Sequence, residues 1–168
     1  MVYFFDTSAL QHRYVDGTKA RRIRQIITDA RNSCYICDLT ILEIASALAA
    51  HCRRNNLRVT SYQKLDQGFW RDIYHEKLLV RNATQRDFLR ARLLLRYAGV
   101  EKNKNIKSAD ALIAACCLEF ALETKRDVTF CLEDWTLYHI IGDIKAYKQV
   151  LRFKYIGVDK TLATPATP

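Results

Sequence analysis

Glycine and proline are scarce in this chain. Its 168 residues include 5 Gly and 2 Pro, and both prolines, Pro165 and Pro168, fall within the last four positions. So few breakers leave long uninterrupted elements, which favours a helix-rich fold over an all-β one. No apolar run reaches the ~20 residues needed to span a bilayer, so no membrane association is expected. The opening stretch Met1–Asp6 is apolar but lacks a basic n-region and a cleavage-like site, so a first strand is expected there and not a signal peptide. Six cysteines are present, without the short secreted scaffold that would make them a disulfide framework. Cys34 and Cys37 have CxxC spacing, but no second CxxC or His pair accompanies them, and period-2 alternation puts them on opposite faces of a strand. Cys52, Cys116 and Cys117 sit among Ala and Leu, where cysteine behaves as a small apolar residue. A reducing, cytoplasmic setting is expected.

Negative charge is the minority. Lys and Arg number 27 against 18 Asp and Glu, a net charge of +9. Such an excess favours polyanionic partners, because neutralising phosphates releases counterions, although an acidic protein partner satisfies it equally. Apolar residues make up 49% and charged residues 27%, as in an ordinary globule. The length fits one domain, expected over 1–157, with a small, Pro-containing and disordered tail over 158–168.

Period-2 and apolar runs predict strands at 2–5, 34–37, 77–80, 128–132 and, at an edge, 152–155. Helical spacing predicts helices over 20–30, 40–55, 61–74, 84–98 and from 134 to 141. Residues 99–107, with Lys102, Lys104 and Lys107, are expected to form a basic loop. The helix opening at Ser108 is apolar on nearly every side and should be the buried one. Strands alternating with helices imply an α/β domain with a mostly parallel central sheet and helices on both faces. Ligands gather at the carboxyl ends of the strands in such sheets.

Four acids fall at the expected strand-to-helix junctions: Asp6, Glu43, Asp110 and Asp134. Each has an ordinary structural explanation. Thr40-Ile-Leu-Glu43 is a capping-box pattern, Asp110 can serve a helix dipole, and Asp134 can be an N-cap. Asp6 follows four apolar residues and has no helix to cap unless the chain turns at once. Capping does not require four acids at one end of a sheet, and the joint pattern therefore points to a site. Carboxylates sharing a pocket repel one another unless a cation neutralises them, and Mg²⁺ or Mn²⁺ suits oxygen ligands of this kind. An ion so held can polarise a phosphodiester and activate water.

The stretches Val2–Leu10, Leu39–Leu48 and Ser108–Ala115 resemble the three best-marked motifs of PIN domains, especially VapC-like toxin ribonucleases, in the family's order. The resemblance extends over about 2–155. It implies a three-layer α/β/α fold, a Mg²⁺ or Mn²⁺ site, RNA hydrolysis with single-stranded or structured RNA as substrate, a homodimer and a small antitoxin protein as partner. Carried over by position, it makes Asp6, Glu43 and Asp110 catalytic metal-site acids and puts Ser8 where a hydroxyl orients a carboxylate or a metal-bound water. Thr7 fits the same loop, with satisfying the backbone as the alternative role of its hydroxyl. The chain departs from the pattern at the fourth acid. No Asp stands two residues after Thr129, and a longer variant selects Asp134, with Glu133 as competitor. Lys102, Lys104 and Lys107 lead toward Asp110 and are candidate RNA contacts. Trp70, Trp135, Tyr138 and Phe69 are candidates for base stacking or for core. The four histidines show no ligand spacing. Within the ribonuclease reading a housekeeping RNA-processing nuclease is the alternative to a toxin. Outside it stands a catalytically weak RNA-binding or protein-interaction module. The echo of an aspartyl-phosphate loop in Phe5-Asp6-Thr7 fails at Ser8, where that chemistry needs a second acid.

Overall fold

The structure, a computed structural model, describes residues 1–15, 17 and 19–155, apart from the side chains of residues 153 and 155. The tail expected over 158–168 lies outside the described residues. Five strands form one sheet: β1 (Val2–Phe5), β2 (Ser33–Cys37), β3 (Leu79–Arg81), β4 (Val128–Leu132) and β5 (Leu151–Tyr155). Their order is β3-β2-β1-β4-β5 and every pairing is parallel. Parallel strands covered on both faces must be apolar on both, which is why β1 reads Val-Tyr-Phe-Phe without alternation.

The described helices are α1 (Thr7–Leu10), α2 (Ala20–Thr28), α3 (Leu39–Arg54), α4 (Val59–Tyr74), α5 (Gln85–Arg96), α6 (Ser108–Thr124), α7 (Trp135–Asp143) and α8 (Lys145–Val150). They cover the sheet as two layers. On one face Phe4, Cys37, Phe130 and Leu132 pack with α5, α6, α7 and α8. On the other, Tyr3, Phe5, Cys34, Ile36 and Cys131 pack with α1, α2, α3 and α4. Alternate side chains of one strand thus serve separate cores, and Cys34 and Cys37 do lie on opposite faces. All six cysteines are buried and free. Helix α6 buries every residue from Ala111 to Ala121, as its nearly all-apolar surface requires, with Glu119 the one charged residue in the run.

Three local features depart from expectation. The chain turns directly after β1 into α1 and a 3-10 turn at Gln11–Arg13. Residues 99–101 extend α5 through a π-helical turn at Tyr97–Glu101, which shortens the basic loop to 102–107. Helix α8 forms where no helix was expected, because Tyr147 supplies it with a buried anchor. No described helix is long and apolar enough to cross a membrane.

The strand order reverses between β1 and β4. At such a switch point the loops leaving adjacent strands diverge to opposite faces and open a crevice beyond the carboxyl ends. Asp6 and Asp134 follow those two strands.

Candidate metal centre

Backbone pairing positions Asp6. Its N–H donates to Cys131 O at 2.9 Å, one step past the β1–β4 ladder, so the residue is held as rigidly as the sheet. The chain then turns at once, and Asp6 Oδ2 accepts from the Ser8 N–H at 3.0 Å and from the Ser8 hydroxyl as the N-cap of α1. Glu43 is the fifth residue of α3, two residues further in than the Thr40 pattern suggested. The N-cap of that helix is Asp38, whose carboxylate accepts from the Leu39 N–H at 2.8 Å. Thr40 is buried inside the helix with its hydroxyl unpartnered, so no capping box forms, and Glu43 Oε2 accepts instead from the Thr7 hydroxyl at 2.7 Å. Asp110 is the third residue of α6, whose amino end faces the carboxyl ends of the strands.

These elements bring a carboxylate oxygen of Asp6, Glu43 and Asp110 to within 4.8 Å of one another. The three line a cavity of about 310 Å³ together with Thr7, Ser8, Lys107 and Asp134. Asp6 is 1% exposed and its Oδ1 is buried without a hydrogen-bond partner. The other buried carboxylates each meet a cation. Asp72 takes two bonds from Arg13 at 2.8 and 3.1 Å, Asp87 one from Arg81 at 2.8 Å, and Glu119 pairs with Arg90. Among the described residues Asp6 has no cationic partner; its carboxylate neighbours are Glu43 and Asp110.

The electrostatics follow. Burial, opposed by the bonds from Ser8 and reinforced by Glu43, pushes Asp6 up to about 6. Burial, with Asp6, Glu43 and Asp134 adding repulsion and Lys107 opposing, pushes Asp110 up to about 7. A cluster of hard oxygen donors, one of them buried and unsatisfied, fits a divalent cation of the Mg²⁺ or Mn²⁺ type.

Asp134 lines the cavity but stands outside the tight triad. Its carboxylate also caps α7, accepting from the Leu137 N–H at 2.7 Å. The competing Glu133 turns away and pairs with His12 and Lys19. Its N–H donates to the Ser8 hydroxyl at 2.8 Å, which ties the turn after β1 to the turn after β4. The hydroxyls of Ser8 and Thr7 therefore each hold a carboxylate, and Thr7 serves more than the backbone. Of the three lysines only Lys107 lines the cavity. Lys102 pairs with Asp143 at 3.0 Å, and Lys102 and Lys104 line a neighbouring cavity. Phe69 is core at 1% exposure, whereas Trp135 and Trp70 are exposed.

Two residues here escaped the sequence reading. Gln11 lines the cavity and donates to Ser8 O at 3.1 Å, and His12 meets Glu133 across 121 positions. Neither carries a local spacing signal; only the fold creates their contacts.

The PIN domain family model matches residues 3–124. No curated protein matches the sequence significantly. Among solved structures, the chain is similar to VapBC2 from Rickettsia felis bound to a DNA fragment from the promoter, with 16% identity, 92% of this chain and 98% of that one covered, and a TM-score of 0.54. It is similar to VapBC-1 from nontypeable Haemophilus influenzae, with 14% identity, 93% and 98% covered, and a TM-score of 0.58. It is also similar to VapBC-5 from Mycobacterium tuberculosis, a member of the VapBC family of toxin-antitoxin systems, with 12% identity, 92% and 98% covered, and a TM-score of 0.57. At such identities the likeness is one of fold.

Proposed function

The chain belongs to the PIN domain family, and from that premise we propose that it is a metal-dependent endoribonuclease and the toxin of a VapBC-like toxin–antitoxin pair. The observation that carries the proposal is the triad of Asp6, Glu43 and Asp110, drawn from three separate elements to within 4.8 Å with one buried oxygen unsatisfied. Ordinary helix ends do not need that convergence, whereas a divalent cation does.

In this reading Asp6, Glu43 and Asp110 hold Mg²⁺ or Mn²⁺, with Asp134 at the cavity wall as the fourth acid. A bound ion supplies charge neutralisation and Lewis-acid polarisation of the scissile phosphodiester and its attacking water. The chain's own residues prepare that site. Ser8 aims Asp6 and Thr7 aims Glu43, so neither carboxylate must reorganise when substrate arrives. Lys107 offers a positive charge to a phosphate entering beside Asp110, and the +9 net charge draws the polyanion in.

The toxin assignment draws on the solved relatives, which are VapBC assemblies. An antitoxin segment carrying arginine would satisfy the same carboxylates that substrate and metal need. Phe88, Leu89 and Leu93 on α5 are 58%, 55% and 55% exposed, an apolar face that suits a protein neighbour, and a homodimer acting in the cytoplasm belongs to the same proposal.

The test is cleavage of a mixed structured-RNA panel by purified protein with Mn²⁺, Mg²⁺ or EDTA, alongside Asp6→Asn and Asp110→Asn. Discrete cuts that need metal and drop by at least about a hundredfold in both variants are the expected result. Binding of RNA without turnover in any divalent metal would replace the nuclease with a non-catalytic RNA-binding module.

A further inference from the structure

A second cavity of about 330 Å³ opens beside the acidic one, lined by Lys102, Lys104, Trp135, Thr136, His139 and Asp143. Asp134 lines the acidic cavity and Trp135, the next residue, lines this one. Adjacent Cα atoms lie about 3.8 Å apart, so the two sites are within a nucleotide's reach. The loop that carries Lys102 and Lys104 here delivers Lys107 to the acids, and it is anchored by the Lys104 N–H on Ala98 O at 2.8 Å.

Trp135 is 43% exposed although an indole is among the largest apolar groups to leave in water. Its ring is held in place. It stacks on Tyr138 at 5.9 Å and 14°, and meets His139 edge-on at 4.1 Å and 79°. Lys102 is fixed by Asp143 and lies 5.4 Å over the Tyr97 ring, whereas Lys104 extends from the exposed loop. A rigid exposed aromatic flanked by ammonium groups is the pairing that binds unpaired nucleotides, the ring taking a base face and the cations the backbone.

We propose that Trp135 is a stacking platform for one unpaired base of the RNA, next to the phosphodiester held at Asp6, Glu43 and Asp110, with Lys104 and Lys107 along the adjoining phosphates. The inference rests on the nuclease reading and deepens it. A base must leave its pair to offer a free face, so the substrate is single-stranded at this position. Discrimination arises from the shape of the cavity around the stacked base.

The chain holds two tryptophans, so Trp70→Phe leaves Trp135 as the sole indole. In that background, made inert with Asp6→Asn, a short unpaired oligoribonucleotide is titrated while indole emission and the anisotropy of a label on the RNA are followed together. Quenching that tracks binding is expected, with its loss when one defined nucleotide is made abasic. Trp135→Ala should weaken binding about tenfold, Trp135→Phe should restore most of it, and Lys104→Ala should weaken it in a salt-dependent way. Circular dichroism melting of each variant establishes that it is folded. Saturable binding without quenching, or unchanged affinity in Trp135→Ala, overturns the platform and leaves the nuclease standing. Failure of the RNA to bind the parent protein at all overturns both.

Discussion

Asp72, Asp87 and Glu119 are buried beside Arg13, Arg81 and Arg90, and each of those carboxylates is neutralised where it sits. Asp6 has no such cation and Asp110 only the weaker opposing pull of Lys107, and they are raised to about 6 and about 7. Ionising Asp6 in the folded chain therefore costs on the order of 3 kcal/mol more than in the unfolded one. The sign matters. Both acids hold protons in the fold at pH values where the unfolded chain has released them, so their contribution to stability falls as pH rises from about 4 through 7. In EDTA, Asp110→Asn should match the wild type in Tm near pH 4 and exceed it increasingly toward pH 8. A Tm difference independent of pH would contradict the charge repulsion that the triad implies. The same substitution abolishes the proposed activity, so stability and function move in opposite directions at one residue.

At the scale of elements, the acids sit where a strand ends and a helix begins, and such junctions invite two explanations for one side chain. The two prove compatible. Asp6 caps α1 through Oδ2, while its Oδ1 stays buried without a hydrogen-bond partner; Asp134 caps α7 and lines the acidic cavity. Substitution separates the roles. Asparagine is as good an N-cap as aspartate, whereas alanine is not. Asp134→Asn should keep wild-type stability and Asp134→Ala should lose about 1 kcal/mol in urea unfolding, while cleavage falls in both if the negative charge serves the site. Full activity in Asp134→Asn would reduce Asp134 to a cap. The Thr40 pattern is the counter-example, since a capping box legible in the sequence gave way to Asp38, two residues earlier. A cap is chosen by where the strand releases the chain, and local sequence does not state that position. Thr84 and Asp87 do form such a box, at the point where α5 begins.

For the whole molecule, a net charge of +9 surrounds a pocket of three converging carboxylates. Any cation that binds the folded chain and not the unfolded one raises stability by mass action, by about 2.7 kcal/mol at a hundred times its Kd. For a chain of this size that corresponds to a Tm increase of roughly 5–10 °C. Mn²⁺ titrated into the EDTA-treated protein should produce such a rise, and Asp6→Asn and Asp110→Asn should abolish most of it. An unchanged Tm at millimolar Mn²⁺ would mean that the triad does not select a divalent ion.

The parallel α/β class, the burial of α6 and the candidacy of Asp6, Glu43, Asp110 and Asp134 were all legible in the chain itself. The reason is local: apolar periodicity records which faces must leave water, and a carboxylate directly after a buried strand conflicts with its surroundings unless something compensates it. Distance was not legible. That three of the acids meet within 4.8 Å while Glu133 is drawn off by His12 and Lys19 depends on the strand order reversing between β1 and β4. That order is set by how two helical layers pack on one sheet, a sum of long-range contacts that no window of sequence contains. For the same reason Thr7 could be named but not paired with Glu43, and Lys102, placed by proximity in sequence with Lys107, lies instead in the cavity beside Trp135.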